Sequence, residues 1–302
     1  MQHTEQERHS WLKLIILFIY IFILGVITIF GDGGDVGMNL DNPNTVMLLK
    51  VLQAASVLLI FIFPAFMFAA FWTKPGIRYL GITTKSDFVT LALATIGMLI
   101  AMPLINWLSE LNQHMKLPEV FSGIEIWMQQ SEEKAALITD AFTKGTSIGV
   151  LIMNLFVIAF MAAISEELFF RGILQKVMVE CFKNKHIGVW VSAIVFSAFH
   201  MQFYGFLPRM LMGVYLGYLF LWSGSLWPGI LAHFINNGMA VFLVWLANRE
   251  VISKDIDKVG MQQEELIYVI ISSVLVAACL FIVFKLGKKR LQASALTSEQ
   301  NE

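Results

Sequence analysis

This sequence contains few charged residues. Only 14% of its 302 residues are charged, whereas 57% are hydrophobic. Soluble domains carry roughly 25% charged residues, so a chain of this composition cannot cover a surface that faces water. Long apolar runs with so few charges are typical of a polytopic membrane protein. We therefore predict an all-α fold, a bundle of membrane helices.

Other absences exclude whole classes of function. The two cysteines, Cys181 and Cys279, lie far apart, which predicts ordinary thiols and neither a disulfide nor a metal pair. A net charge of −1 gives no sign of a nucleic-acid partner. Neither an H-E-x-x-H nor a G-x-S-x-G motif occurs, so a zincin site and an α/β-hydrolase serine are unsupported. No internal repeat or broken helix pair is visible, which disfavours a transporter.

What the sequence does contain is apolar runs that are nearly all long enough to cross a bilayer. Eight are predicted, of which the fifth is short: Trp11–Phe30, Val46–Phe71, Phe88–Leu108, Gly149–Phe170, Ile187–His200, Phe206–Trp222, Leu226–Ala247 and Leu266–Leu286. The first is too long for a signal peptide and no small-residue cleavage site follows it. We predict one integral-membrane domain over 1–302, with N-terminal spans and a surface loop in 1–145, core helices in 146–247, a last span in 264–290 and a disordered tail in 291–302.

The charges of the connecting segments predict the orientation. Basic residues flank the first run, follow the second and fourth, and close the eighth, whereas the alternate segments are poor in basic residues or acidic. The excess of lysine and arginine on cytoplasmic loops then places both termini in the cytoplasm of a multi-pass cell-membrane protein. The long segment from Leu117 to Thr146 falls on the other side, as one or two helices lying on the bilayer or as a loosely structured loop.

Polar side chains within the apolar runs are the candidate functional residues. Glu166, Glu167 and Arg171 interrupt the fourth run. A carboxylate in lipid costs about 2.5 kcal/mol or more, so two adjacent ones indicate a cavity that holds water. Glu167 and Arg171 are four residues apart and can form an ion pair. Glu166 points about 100° away, which leaves it free to act as a base.

Two further polar groups lie in later runs. His200 ends the fifth run, and His233 shares a helix face with Asn237 in the seventh, with Asn236 close to that face as well. An imidazole beside an amide can bind one substrate oxygen. If the cytoplasmic surface lies between Arg171 and Ile187, the charges place Glu166 and His233 roughly 8 and 10 Å deep but His200 about 20 Å deep. His200 then meets the other two only if its helix tilts or begins outside the hydrocarbon.

Some polar and small residues are assigned no chemistry. Lys50 and Glu110 lie near run ends and are expected to reach water. Gly213 and Gly217 form a GxxxG pattern that predicts close helix packing. Asp32, Asp35 and Asp41 lack the ligand spacing of a calcium loop.

Three motifs in order resemble those of a known family. Glu-Glu-x-x-x-Arg at Glu166 to Arg171, Phe-x-x-x-His at Phe196 to His200 and His-x-x-x-Asn at His233 to Asn237 are similar to the motifs of the CAAX-protease and bacteriocin-processing family, also called Abi-type proteins. The resemblance covers about Met161 to Gly238. It implies an eight-helix bundle with a conical, water-filled cavity that opens to the cytoplasmic leaflet.

The same resemblance implies an intramembrane endopeptidase whose nucleophile is a water molecule. Glu166 and His200 would activate that water, His233 and Asn237 would stabilise the oxyanion, and Glu167 and Arg171 would shape the site. The family's description as metal-dependent implies a metalloendopeptidase, with Glu166, His200 and His233 as ligands of a divalent metal such as zinc. A glutamate mechanism without a tightly bound metal is the alternative.

The expected partners are membrane lipids and a peptide or lipid-modified protein substrate. The alternative hypothesis belongs to another class of function. It is that the chain is a non-proteolytic binding, immunity or signalling partner in the membrane. The two differ in whether the function depends on Glu166.

Overall fold

The computed structural model describes residues 12, 13, 16, 19, 20, 39–73, 76–253 and 266–299, with side chains to residue 293. All of its long elements are helices, as predicted. In chain order they are α1 (Pro43–Trp72), α2 (Phe88–Ile100), α3 (Met102–Gln113), α4 (Ser122–Thr143), α5 (Ile148–Phe182), α6 (Lys185–Phe199), α7 (Phe206–Ser223), α8 (Trp227–Asn248) and α9 (Leu266–Glu299). The predicted first span lies almost wholly outside the described residues.

In the described part of the chain, five helices are long and apolar enough to cross a membrane, or six if α2 and α3, bent by 46° at Ala101, form one span. The predicted count of eight is therefore not confirmed. The predicted fifth span corresponds to α6, whose 15 residues are fewer than the roughly 20 that the hydrocarbon requires. In the described part of the predicted tail, residues 291 to 299, α9 continues to Glu299.

Helix α5 runs well past its predicted end at Phe170 and reaches Phe182. Lys183, with φ of 51°, then reverses the chain, and the side chain of Asn184 caps α6 by accepting hydrogen bonds from the backbone N–H groups of His186 and Ile187. α5 and α6 thus form an antiparallel hairpin. Glu166 and His200 lie at equal distances along the chain from Lys183, so both are roughly 25 Å from the turn.

Two stretches of α5, Leu155–Met161 and Glu167–Leu174, are wound as π-helix. All eight residues of the second stretch are buried. Its phenylalanines pack edge-on against other helices: Phe169 meets Phe61 of α1 with ring centroids 5.6 Å apart, and Phe170 meets Phe196 of α6 at 5.0 Å. Such widened turns are common at functional sites, and this one carries Glu167 and Arg171 in the middle of the hydrophobic core.

The glycines of α7 let two neighbouring helices approach closely, as the GxxxG pattern predicted. A Cβ at Gly213 would lie 3.0 Å from the Cβ of Ala193 in α6, and one at Gly217 would lie 2.9 Å from a methyl group of Val189. α6 is therefore held against α7 along this glycine face.

The segment after α3 folds as one helix, α4, so the loosely structured alternative is wrong. Phe142 near its end is buried, whereas Ile124 and Leu137 are 49% and 62% exposed. Lys50 of α1 was expected to reach water, and that is also wrong. It is 6% exposed, and its Nζ donates hydrogen bonds of 2.8 Å to the carbonyl oxygen of Phe142 and 2.7 Å to Oδ1 of Asn154.

The basic segments meet at one end of the bundle. The indole of Trp227 donates to the carbonyl of Ile82, Arg290 pairs with Asp87, and Lys13 pairs with Glu180 at 3.0 Å. At the other end, Lys144 pairs with Asp41 at 3.1 Å, and Asn248 donates to the carbonyl of Thr143. We call these the basic end and the acidic end.

Candidate active site

Glu166 faces both candidate histidines inside the bundle. Its Oε2 lies 3.7 Å from Nε2 of His200 and 3.8 Å from Nε2 of His233. These distances are too long for direct hydrogen bonds and short enough for one bridging molecule. The Oε2 atom is buried and accepts no hydrogen bond from any described residue. A carboxylate oxygen and two ring nitrogens therefore converge on one small volume.

The depth predicted for His200 relative to Glu166 is wrong, and the α5–α6 hairpin explains why. The prediction assumed that the helix of Glu166 leaves the membrane just after Arg171. Because α5 continues to Phe182, Glu166 lies as far from the turn as His200 does. The two side chains meet without any need for α6 to tilt.

The second glutamate is tied into a buried ion pair, as its spacing from Arg171 predicted. Nη1 of Arg171 donates to Oε1 of Glu167 at 2.6 Å, and the two side chains are 1% and 0% exposed. Nη2 of Arg171 donates to the carbonyl oxygen of Gly213 at 3.2 Å. The guanidinium also lies 4.5 Å from the ring centroid of Phe196. Arg171 thereby links α5 to α6 and α7.

Each histidine is oriented through its Nδ1 atom. In His200 this atom lies 2.8 Å from the carbonyl oxygen of Phe196, which can only accept, so Nδ1 carries the proton. In His233 it lies 3.1 Å from Oε1 of Glu167, the oxygen that accepts from Arg171, so Nδ1 again donates. Both histidines consequently turn Nε2 towards Glu166. The contact between His233 and Glu167 was not predicted, since the spacing within α5 says nothing of α8.

The motif residue Phe196 has a structural explanation. Besides binding Arg171, its ring packs against the rings of His200 at 4.9 Å and His233 at 5.9 Å. It is fully buried. A large aromatic ring one helical turn before His200 therefore fixes both histidines and the arginine.

The two asparagines lie side by side but differ in their partners. Nδ2 of Asn237 donates to the carbonyl oxygen of Ile158 at 3.3 Å, and its Oδ1 accepts from Nδ2 of Asn236 at 3.0 Å. Both residues line the same cavity as His200 and His233. The choice between Asn236 and Asn237 that the spacing left open thus stays open in the structure.

This cavity has a volume of about 400 Å³. Towards the acidic end it is lined by residues of α3, α4, the turn after α6, and α8: Ser109, Thr139, Thr143, Gln202, Gly205 and Val244. Arg209 of α7 also lines it, held by hydrogen bonds of 3.0 Å to the backbone and side-chain oxygens of Gln202. Sequence reasoning missed Arg209 and Gln202, although an arginine within an apolar run was a usable signal.

The cavity extends from the histidines to the end of the bundle opposite the basic segments. Thr143 adjoins Asn248 at the acidic end, whereas the turn at Lys183 is at the other. The charges predicted cytoplasmic basic segments, and the resemblance implied a cavity open to the cytoplasmic leaflet. In this fold the basic segments and the cavity opening lie at opposite ends of the bundle, so they cannot both face the cytoplasm.

The donor chemistry around Glu166 partly fits the predicted zinc ion. Each histidine presents Nε2 while Nδ1 is hydrogen-bonded, as in zinc-binding histidines. However, within the described ranges no group of three histidine, cysteine, aspartate or glutamate side chains is arranged to hold a metal ion. The zinc ion stays a prediction.

Fold and site together define a class of protein: a polytopic, all-helical membrane protein with a buried acid–histidine centre at the bottom of a cavity. Residues 148–239 match the family model described as type II CAAX prenyl endopeptidase Rce1-like. This match confirms, over that segment, the resemblance to the CAAX-protease and bacteriocin-processing family drawn from the three motifs.

The chain is also similar to a curated bacterial protein. It is 30% identical over 88 residues to the uncharacterized protein YpbD of Bacillus subtilis. The match covers 28% of this chain and 42% of YpbD, so it spans less than half of the relative's length. No solved structure matches the chain.

Proposed function

We propose that this protein is an intramembrane endopeptidase that hydrolyses peptide bonds of membrane-associated peptides or lipid-modified proteins with a water molecule activated by Glu166. One observation carries the proposal: Oε2 of Glu166 lies within 3.8 Å of Nε2 of both histidines, next to a cavity that reaches the surface. The family match supports the same class of reaction.

The hydrogen bonds of the site support a division of roles. A water molecule between the three atoms can donate its protons to the carboxylate of Glu166 and to Nε2 of His200, both of which accept. Glu166 then takes a proton as the hydroxyl oxygen attacks the peptide carbonyl, and returns it to the leaving nitrogen. His200, which is 26% exposed, lies beside this water.

Stabilisation of the tetrahedral oxyanion needs a donor, and Nε2 of His233 donates only when the ring is protonated, because Nδ1–H is already used. The carboxylate of Glu167, 3.1 Å from Nδ1, would stabilise that imidazolium. An amide N–H of Asn236 or Asn237 is the second donor in reach of the cavity. Loss of one such donor typically lowers the rate by about 100-fold or more.

The test is the substitution Glu166→Gln, which keeps the shape of the side chain but removes its ability to take a proton. Purified protein in liposomes is incubated with peptides that the same variant captures in cells. We expect turnover to fall by about 100-fold or more, with unchanged expression and helicity. Glu110→Gln, at a carboxylate that is 39% exposed near the end of α3, is the matched control and should keep full activity. Full activity of Glu166→Gln would refute the mechanism.

The same variant separates catalysis from binding. If Glu166→Gln restores the phenotype of a deletion strain as well as the wild type does, the protein acts as a membrane binding partner and not as a protease.

A chelator tests the predicted zinc ion separately. Because proton transfer by Glu166 requires no metal, we expect cleavage to survive dialysis against a chelator. Loss of activity that zinc restores would show that Glu166, His200 and His233 come together as a metal centre.

A further inference from the structure

We infer that the active-site cavity opens to the extracytoplasmic side of the membrane, so that its substrates are exported or outward-facing membrane peptides and not cytosolic C-termini. The inference about substrates rests on the proposed function, whereas the orientation of the cavity does not. It follows from the placement of charged segments relative to the cavity.

The two ends of the bundle differ in charge. At the basic end the described exposed or half-exposed charges are mostly cationic. They belong to the turn before α2, the α5–α6 turn and the end of α9: Arg78, Lys85, Lys183, Lys185, Lys288, Lys289 and Arg290. Asp87 and Glu180 are the acidic partners named at this end, and both are paired with a cation.

The acidic end has the opposite balance. Its described acidic residues come from the segment before α1, from the end of α3, from α4 with the turn before it, and from the end of α8: Asp41, Glu110, Glu119, Glu125, Glu132, Glu133, Asp140 and Glu250. Fewer basic residues accompany them there. Because lysine and arginine near short loops stay in the cytoplasm, the basic end is the cytoplasmic one.

The cavity extends along the bundle axis towards one end. Its inner part is lined by His200 and His233, and its outer part by Thr139, Thr143 and Val244. These outer residues adjoin Asn248 and Trp245, whose side chains donate to backbone carbonyls at residues 143 and 146. The outer part of the cavity therefore lies at the acidic end, farther from the α5–α6 turn than Glu166 and His200, which are themselves about 25 Å of helix away from it.

Helix α4 lies beside the opening of the cavity. α4 supplies Thr139 and Thr143 to the cavity wall and also exposes large apolar side chains, including Val120 in the preceding turn, Ile126 and Leu137 at 89%, 54% and 62%. A helix with such side chains beside charged ones is suited to lie in the interface of a bilayer. A peptide anchored in the outer leaflet would pass along α4 to reach the histidines.

Accessibility of single cysteines to a membrane-impermeant maleimide in intact cells tests the orientation. The background is Cys181→Ser with Cys279→Ser, with unchanged expression and helicity as the check of folding. Thr139→Cys, at the exposed wall of the opening, should react in intact cells. Lys185→Cys, exposed at the basic turn, should react only after the membrane is permeabilised. Ile194→Cys, an apolar position of α6 that is 44% exposed, is the control for lipid-covered sites and should react in neither condition.

The opposite pattern, with residue 185 labelled in intact cells and residue 139 protected, would overturn the inference. Labelling does not require catalysis, so it is repeated with Glu166→Gln and its outcome is independent of the proposed function. A second measurement addresses the substrate. Peptides captured by Glu166→Gln should come from exported or outward-facing segments, and capture of only cytosolic C-termini would contradict the inference.

Discussion

Replacing Arg171 by methionine should destabilise the protein severely, because it leaves Glu167 without its cation in the interior. Both side chains are almost fully buried and their closest atoms are 2.6 Å apart. Removal of one partner from a buried ion pair costs about 3–5 kcal/mol. The variant also loses the hydrogen bond to the carbonyl of Gly213 and the contact with the face of Phe196. His233 alone remains beside the buried carboxylate.

The assay is unfolding of the purified protein in detergent micelles by a denaturing detergent, followed by circular dichroism. Arg290→Met is the matched control, since it also removes an arginine from a carboxylate pair. Its partner Asp87 and Arg290 itself are 40% and 39% exposed, so the loss there should stay below about 1 kcal/mol.

A double variant separates charge from packing. Glu167→Gln combined with Arg171→Met removes both charges, and the glutamine oxygen can still accept from His233, so most of the lost stability should return. If Arg171→Met is as stable as the wild type, the buried ion pair between Glu167 and Arg171 does not stabilise the fold. If the double variant is as unstable as the single one, the loss comes from packing and the argument from an unpaired charge fails.

Three further predictions concern other parts of the bundle. Gly217→Leu should lower the free energy of unfolding by about 1–3 kcal/mol, because even its Cβ would lie 2.8 Å from the side-chain oxygen of Gln175 in α5. Gly149→Leu is the control, since the nearest atom to a Cβ there is 3.8 Å away. Equal stability of the two variants would contradict the close packing at Gly217. Asn154→Ala should cost about 1–3 kcal/mol in the same assay, since Lys50 keeps its charge in the interior but loses one of two acceptors. Partial burial would raise the pKa of Asp87, but hydrogen bonds from the first turn of α2 and a nearby arginine outweigh it and lower that pKa below its ordinary value. The stabilising contribution of the Asp87 carboxylate is therefore present above its ordinary pKa and is lost as the pH falls through the lowered one. Asp87→Asn should accordingly make the free energy of unfolding less dependent on pH in acid. An unchanged profile of stability against pH would contradict this.

The spacing of residues in the sequence predicted the contacts that lie within one helix. Glu167 and Arg171 pair because four residues bring side chains to one face. The glycines of α7 pack against α6 because small residues permit close approach. Such statements depend only on local geometry, which the sequence specifies directly.

Errors arose where depth had to be inferred from the ends of hydrophobic runs. Arg171 resembles the polar end of a span, yet it is buried by an ion pair, and α5 continues for several more turns. Lys50 likewise resembles an interfacial residue, but it is enclosed by acceptors from α4 and α5. A charge satisfied inside a protein cannot be told from one at the membrane surface by hydropathy alone.

The sequence by itself determined that this chain is a helical membrane protein, which polar residues interrupt its apolar helices, and which end of the bundle carries the positive charge. Tertiary structure alone decided that Glu166 faces two histidines from different helices, that Glu167 orients one of them, and that the cavity opens away from the basic end. The reason is physical: composition and periodicity act through local geometry and the bilayer, whereas contacts between helices depend on how far each one extends before the chain turns.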